Sequence, residues 1–333
     1  MVTATLLFLV TTVGAEAPAP TYAERLGWPA DARVVIFHID DAGMSHSANL
    51  GSKKALTEGV ATSVSIMMPC PWVPEFVDWV KENPEIDAGL HLTFTSEWDH
   101  YRWGPLAGAA QVPDLVDEDG AFYDNVPDVV ANAPVDQVEV ELRAQIDRAR
   151  RMGLPITHLD SHMGTLFSSR EYIELYVRIG IEEQIPVLWP GGHLHYIREE
   201  NPAASLMAPT IAKKLWDAGL PVVDDIHADS YGWSKEEKTD RYIEVLENMK
   251  PGILEIVNHC AWPTDEMARF TTSTDTRHGD TLAMIDPRLR QYIEDEGIIL
   301  TTWRELMARR RAVAEAEAAA SAEAPTPAEP AAR

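Results

Sequence analysis

The sequence predicts an α/β protein, an irregular (β/α) barrel of about seven to eight parallel strands. Three observations carry that prediction. Eight short β-rich runs punctuate the chain, helical stretches separate them, and 333 residues at 45% hydrophobic content suffice for one large core. In order, the runs are VVIFHID, TSVSIMM, AGLHLTF, THLDSHM, PVLW, PVVDDI, GILEIVNH and GIILTTW. Several are apolar nearly throughout, as strands covered on both faces must be.

The chain opens with an apolar core over residues 6–13 and small residues at Val13 and Ala15. It reads as a signal peptide, residues 1–15, although no Lys or Arg precedes the apolar run. That leader predicts a secreted or periplasmic protein. Residues 16–310 form the single barrel domain. Within it, Val135, Val138, Leu142, Ile146 and Ala149 recur at helical spacing, and Gly153 supplies the stop. Residues 95–132 are too long for an ordinary connection and carry Trp98, Tyr101, Trp103 and Phe122. Such a loop either shapes a binding site or covers a satellite core. From residue 311 to 333 the chain turns to Ala, Glu and Pro, which cannot bury a core. Its first part extends the last helix and the remainder is a disordered tail.

A formal charge of -25 argues against nucleic acid and anionic membranes, and suits a neutral or cationic ligand. No segment is long and apolar enough to span a bilayer. The oligomeric state is open, a homodimer among the options. Two cysteines, Cys70 and Cys260, allow at most one bridge between them.

Barrel enzymes place reactive residues at the carboxyl ends of their strands. There the first run ends in Asp40 and Asp41, the third presents His91, the fourth ends in Asp160 and His162, and GILEIVNH ends in His259. Two adjacent carboxylates at the end of a buried run repel one another unless something binds them. One carboxylate and two imidazoles with an open position make a common divalent-metal site. By alternation His38 shares a face with Asp40, Asp160 with His162, and Glu255 with His259. Asp160 is therefore expected to orient His162, and Glu255 to do the same for His259 or to pair inside the barrel. His158 is deeper, a packing position. Asp224, Asp225, His227 and Arg277 are peripheral. Ser45 or Ser47 is expected to cap the following helix.

DDAG, AGLHLTF, THLDSHM and EIVNH, in this order, resemble the YdjC/ChbG-type carbohydrate deacetylases, relatives of the wider polysaccharide deacetylase group. The later stretch TRHGDTLAMIDPRLRQYIEDEGIILTTWREL is similar to that family's C-terminal end. The resemblance runs over residues 34–306 and implies a barrel of the deacetylase type. It also implies a metal-dependent hydrolase removing an acetyl group from an N-acetylated amino sugar or oligosaccharide. Asp41, His91 and His162 would hold the metal, Asp40 would be the general base and His259 the general acid. One divalent ion is implied, Zn or Mg, with Mn or Co also accepted; two imidazoles suit zinc better than magnesium. Trp98 and Trp103 are candidate sugar platforms. The chain departs from the family at His38, where relatives carry Asn, at Ala42, commonly Phe, and at Gly164, commonly His. These changes bear on the substrate more than on the reaction. The alternatives are a metal-dependent amidase or esterase on a non-sugar substrate, and a non-catalytic carbohydrate-binding relative.

Overall fold

A computed structural model describes residues 19–323. The leader over residues 1–15 and the tail past residue 323 lie outside the described residues. The first part of the tail continues the last helix, Trp303–Glu323, as its Ala-rich sequence favours.

Among the described residues, seven parallel strands form one sheet: β1 (Arg33–Ala42), β2 (Ser63–Ile66), β3 (Ala88–Leu92), β4 (Leu159–Ser161), β5 (Asp225–His227), β6 (Gly252–Asn258) and β7 (Ile299–Leu300). Their spatial order is β4-β3-β2-β1-β6-β5, with β7 also on β1. β7 pairs the amino end of β1 at Val34 and Val35, while β2 pairs its carboxyl half from His38 onward. Backbone hydrogen bonds then carry the sheet round from β4 to β5 through residues 186–191. Leu188 N–H donates to Leu159 O (2.9 Å), and Gly191 N–H donates to Val223 O (2.9 Å). The outcome is the irregular barrel that the strand–helix alternation predicts. PVLW makes only isolated bridges and PVVDDI contracts to β5, because Pro186, Pro190 and Pro221 lack the N–H a ladder needs.

The inside and outside of the barrel follow from alternation along β1. Phe37 points outward and meets Tyr242 of the helix Lys238–Asn248, ring centroids 6.2 Å apart. His38 and Asp40 point inward. The helix Val135–Met152 ends where predicted, at Gly153 in the left-handed region (φ 78°), a conformation that costs glycine little. Its buried Glu141 and Gln145 clamp the start of the long insertion: Gln145 exchanges hydrogen bonds with Thr93, and Glu141 accepts from Ala107 N–H at 2.9 Å. Ser45 caps the helix His46–Glu58 by accepting from Ala48 N–H (3.1 Å). Cys70 and Cys260 are buried and unbridged. Among the described residues, no helix is long and apolar enough to cross a membrane.

Candidate active site

The last residues of β1 resolve the problem of two adjacent carboxylates. On an even strand, neighbours face opposite sides. Here the β1–β2 register slips between Ile39 and Ala42, and Asp41 takes a left-handed conformation (φ 67°). That bulge rotates Asp41 so that both acids reach the barrel mouth. Strain at a non-glycine residue of this kind is often found at functional sites. Gly43 (φ 81°) completes the turn, where a Cβ would strike Val73 Cγ2 at 2.7 Å.

Asp41 Oδ1 lies 3.3 Å from His91 Nε2 and 3.2 Å from His162 Nδ1. These three atoms are a potential cation cage, all within 4.8 Å of one another. Asp41 Oδ1 and His162 Nδ1, 3.2 Å apart, are buried without a well-directed hydrogen-bond partner, which leaves this donor set free to take a ligand. The other face of each group is already held. Arg277 donates to Asp41 Oδ2 at 2.7 Å, Asp160 Oδ2 accepts from His91 Nδ1 at 2.7 Å, and Glu97 Oε2 meets His162 Nε2 at 3.1 Å. Second partners of this sort orient ligand imidazoles. Burial alone would push the Asp41 carboxyl up, but Arg277 and the two imidazoles hold it well below the usual carboxylate range.

Asp40 sits beside this cage, its Oδ2 3.6 Å from His91 Nε2 and 3.7 Å from His259 Nε2. Burial pushes its carboxyl up to about 6, with His91 limiting the rise. His259 follows the end of β6 and is pushed down to about 3, by burial first and then by Arg277. Its backbone N–H donates to Asp280 Oδ2 at 3.0 Å. Asp280 in turn pairs with fully buried Lys238 (2.8 Å) and accepts from Tyr242 Oη–H.

Beneath the mouth lies a second acidic and imidazole group. His38 lies 3.3 Å from Asp40 Oδ1, 3.5 Å from Asp160 Oδ2 and 3.7 Å from Glu255 Oε1. Its two ring nitrogens meet Ser63 Oγ and Ser65 Oγ, each at 3.1 Å. Those hydroxyls give their own protons to Asp87 and Asp160, so both serines accept from His38 and the ring carries two N–H groups. Burial disfavours that charge, yet Glu255, Asp160 and Asp40 raise the imidazole to about 10.

The acids and imidazoles singled out in the sequence converge at this rim, but one of their expected partners differs and another takes the second of its two expected roles. Asp160 holds His91 rather than His162, because the β3–β4 register sets His91 opposite Asp160. Glu255 serves His38 rather than His259: it pairs with Ile36 one level deeper in the barrel. Of the two tryptophans, Trp98 borders the cleft while packing on Phe270 and Tyr101. Trp103 is buried, donates to Thr95 O at 2.8 Å and packs against Trp98 and Tyr101 as part of the main core. His158 is a packing residue against Trp303, as its depth implies. Asp224 caps the chain at Tyr22 and Ala23, Asp225 does so at Tyr196 and Ile197, and His227 pairs with Glu200. Arg277, read as peripheral, sits on Asp41. Glu97 and Asp280 had no signal beyond being acidic residues in a loop and a helix.

The fold and this rim define the class: the chain belongs to the YdjC-like protein family, whose model matches residues 34–295. Among its relatives, the carbohydrate deacetylase of Thermus thermophilus is 33% identical over 281 residues, 84% of this chain and 96% of that protein. The carbohydrate deacetylase of Thermoanaerobacter pseudethanolicus is 26% identical, over 81% of this chain and 98% of its own length. A crystal structure from Enterococcus faecalis, described as a putative cellobiose-phosphate cleavage protein, shares the fold: TM-score 0.70 at 21% identity, covering 83% of this chain and 99% of that one.

Proposed function

We propose that this protein is a divalent-metal-dependent carbohydrate deacetylase that hydrolyses the N-acetyl amide of an amino sugar. The observation that carries the proposal is the convergence of unpartnered Asp41 Oδ1 and His162 Nδ1 with His91 Nε2, directly beside Asp40 and His259. One carboxylate and two imidazoles fit a zinc-like ion and also accept magnesium, manganese or cobalt. Such an ion, when bound, supplies Lewis acidity toward the amide carbonyl and toward water.

The chain's own residues supply the proton transfers. Asp40, at about 6, is mostly ionised at pH 7 yet close enough to that pH to be an effective base, and it takes the proton from the attacking water. His259 is neutral at rest. Its Nε2 lies 3.7 Å from Asp40 Oδ2, so a small approach would let it relay the proton that Asp40 takes from water. His259 passes it to the departing amine. Asp280 holds the His259 backbone and Arg277 holds Asp41, so neither group has to reorganise. A base and an acid together support an enzyme over a pure carbohydrate binder.

Acetate release from N-acetyl chitooligosaccharides tests the reading, with Asp40→Asn as the control. The variant is expected to lose about 10²- to 10⁴-fold in kcat while still binding the sugar. Undiminished turnover in Asp40→Asn, or no acetate from any N-acetyl sugar, would reject it. We also propose export, from the leader at residues 1–15; N-terminal sequencing of secreted protein starting after Ala15 is the expected result, and an intact Met1 in the cytosol the contrary one.

A further inference from the structure

Two cavities open from the site and differ in character. One, of about 700 Å³, contains Asp41, His91 and His162 together with Glu97, Tyr231 and Arg277. The other, of about 600 Å³, begins at Asp40 and His259 and is walled mainly by Phe167, Ile173, Leu188, Trp189, Ile226 and Val257, with Ser161, Glu200 and Asn201 also on its lining. Exposed Met163 and Met207 continue this apolar wall to the surface, and exposed Glu199 and Asp229 stand at its mouth. The ring N–H of Trp189 is already given to Ala208 O at 3.1 Å.

We infer that the second cavity is an acyl chamber and that the preferred substrate is an amino sugar whose N-acyl chain is longer than acetyl. The inference rests on the amide-hydrolase reading of the site. An acetyl methyl has about the bulk of a water molecule, roughly 30 Å³; a chamber of about 600 Å³ is built for more. A second sugar ring is the poorer occupant against Phe167, Ile173, Leu188, Ile226 and Val257, which offer its hydroxyls no partner, whereas Ser161, Glu200 and Asn201 on the same lining could take only some of them. An amide whose carbonyl faces the Asp41–His91–His162 cage directs its two substituents apart. The sugar takes the polar cavity, where Glu97, Asp99, Arg269 and Tyr231 offer hydrogen bonds. The alkyl chain then enters the more apolar one past Asp40. The reaction is unchanged: water adds to the acyl carbon, the C–N bond breaks, the amine leaves with a proton and the chain leaves as its carboxylic acid.

The test compares N-acetyl, N-butyryl and N-hexanoyl chitobiose as substrates, with the metal-loaded full chain. kcat/KM is expected to rise about fourfold per added methylene until the chamber fills. Ala204→Phe, which adds bulk on the helix Pro202–Asp217 where it borders the chamber, is expected to cut the hexanoyl-to-acetyl ratio at least tenfold. The Asp40→Asn protein should bind the hexanoyl sugar more tightly than the acetyl sugar, a readout independent of turnover. Acetyl release with equal or slower release of the longer chains, and no binding preference in Asp40→Asn, would overturn the chamber and leave the deacetylase reading standing. Release of no acyl group from any of the three would overturn that reading itself.

Discussion

Replacing Arg277 by Met removes the guanidinium that faces Asp41 and keeps much of its bulk. The pair is 2.7 Å apart, and both side chains are at most 4% exposed. At an effective dielectric constant near 20, two charges about 4 Å apart interact by roughly 4 kcal/mol. Removing one member of a buried pair typically costs about 3–5 kcal/mol, because the remaining charge is stranded. His91 and His162 still face Asp41, which places the expected loss near the lower end, about 3 kcal/mol. At roughly 2 °C per kcal/mol for a chain of this size, the metal-free variant should melt about 6 °C lower. A divalent ion replaces the missing positive charge, so saturating zinc should shrink the difference by half or more. Differential scanning calorimetry with and without metal measures both numbers. A metal-free variant melting within about 1 °C of the parent, or a gap that zinc leaves untouched, would refute the reasoning.

Two further outcomes follow from buried groups. Glu141, clamped between Gln145 and Ala107, is pushed up to about 7, chiefly by burial. A carboxyl raised in the folded state binds its proton more tightly there than in the unfolded chain. Its contribution is therefore greatest below about pH 4.5 and falls by roughly 3 kcal/mol as pH rises to 7. Urea unfolding across that window should show the decline in the parent, and Glu141→Gln should remove it; an unchanged slope in the variant would contradict the assignment. His38→Asn removes the cation 3.3 Å from Asp40, which helps keep that acid ionised. The acid limb of kcat/KM against pH should move to higher pH, and a limb that stays put would separate His38 from the base.

The skeleton of this site was legible in the sequence because its strongest signals are local. Asp40, Asp41, His91, His162 and His259 all lie at strand ends, where period-two alternation and barrel logic point to the mouth. Two features obeyed the alternation only after correction. Asp41 reaches the site through a bulge and a left-handed backbone that DDAG alone does not announce. Asp160 pairs with His91 because inter-strand register, not position along one strand, decides which imidazole it meets. Residues that act from other elements carried little signal: Arg277 read only as peripheral, and Glu97 not at all. Arg277 arrives on the helix Thr274–Met284 and Glu97 from the long insertion, each brought to its partner by tertiary packing. Trp103 looked like a sugar platform since aromatic content in a loop does not tell a binding face from an extension of the core.

Deacetylation is proposed to depend on a divalent ion held by Asp41, His91 and His162. Metal content and acetate release from N-acetyl chitooligosaccharides, measured on the same preparations of parent and Asp41→Asn, test that dependence most directly. The parent should bind one ion per chain, lose activity with a chelator and regain it on zinc or magnesium addition, while Asp41→Asn neither retains the ion nor recovers. Full acetate release from metal-free protein, or stoichiometric metal in Asp41→Asn, would contradict it.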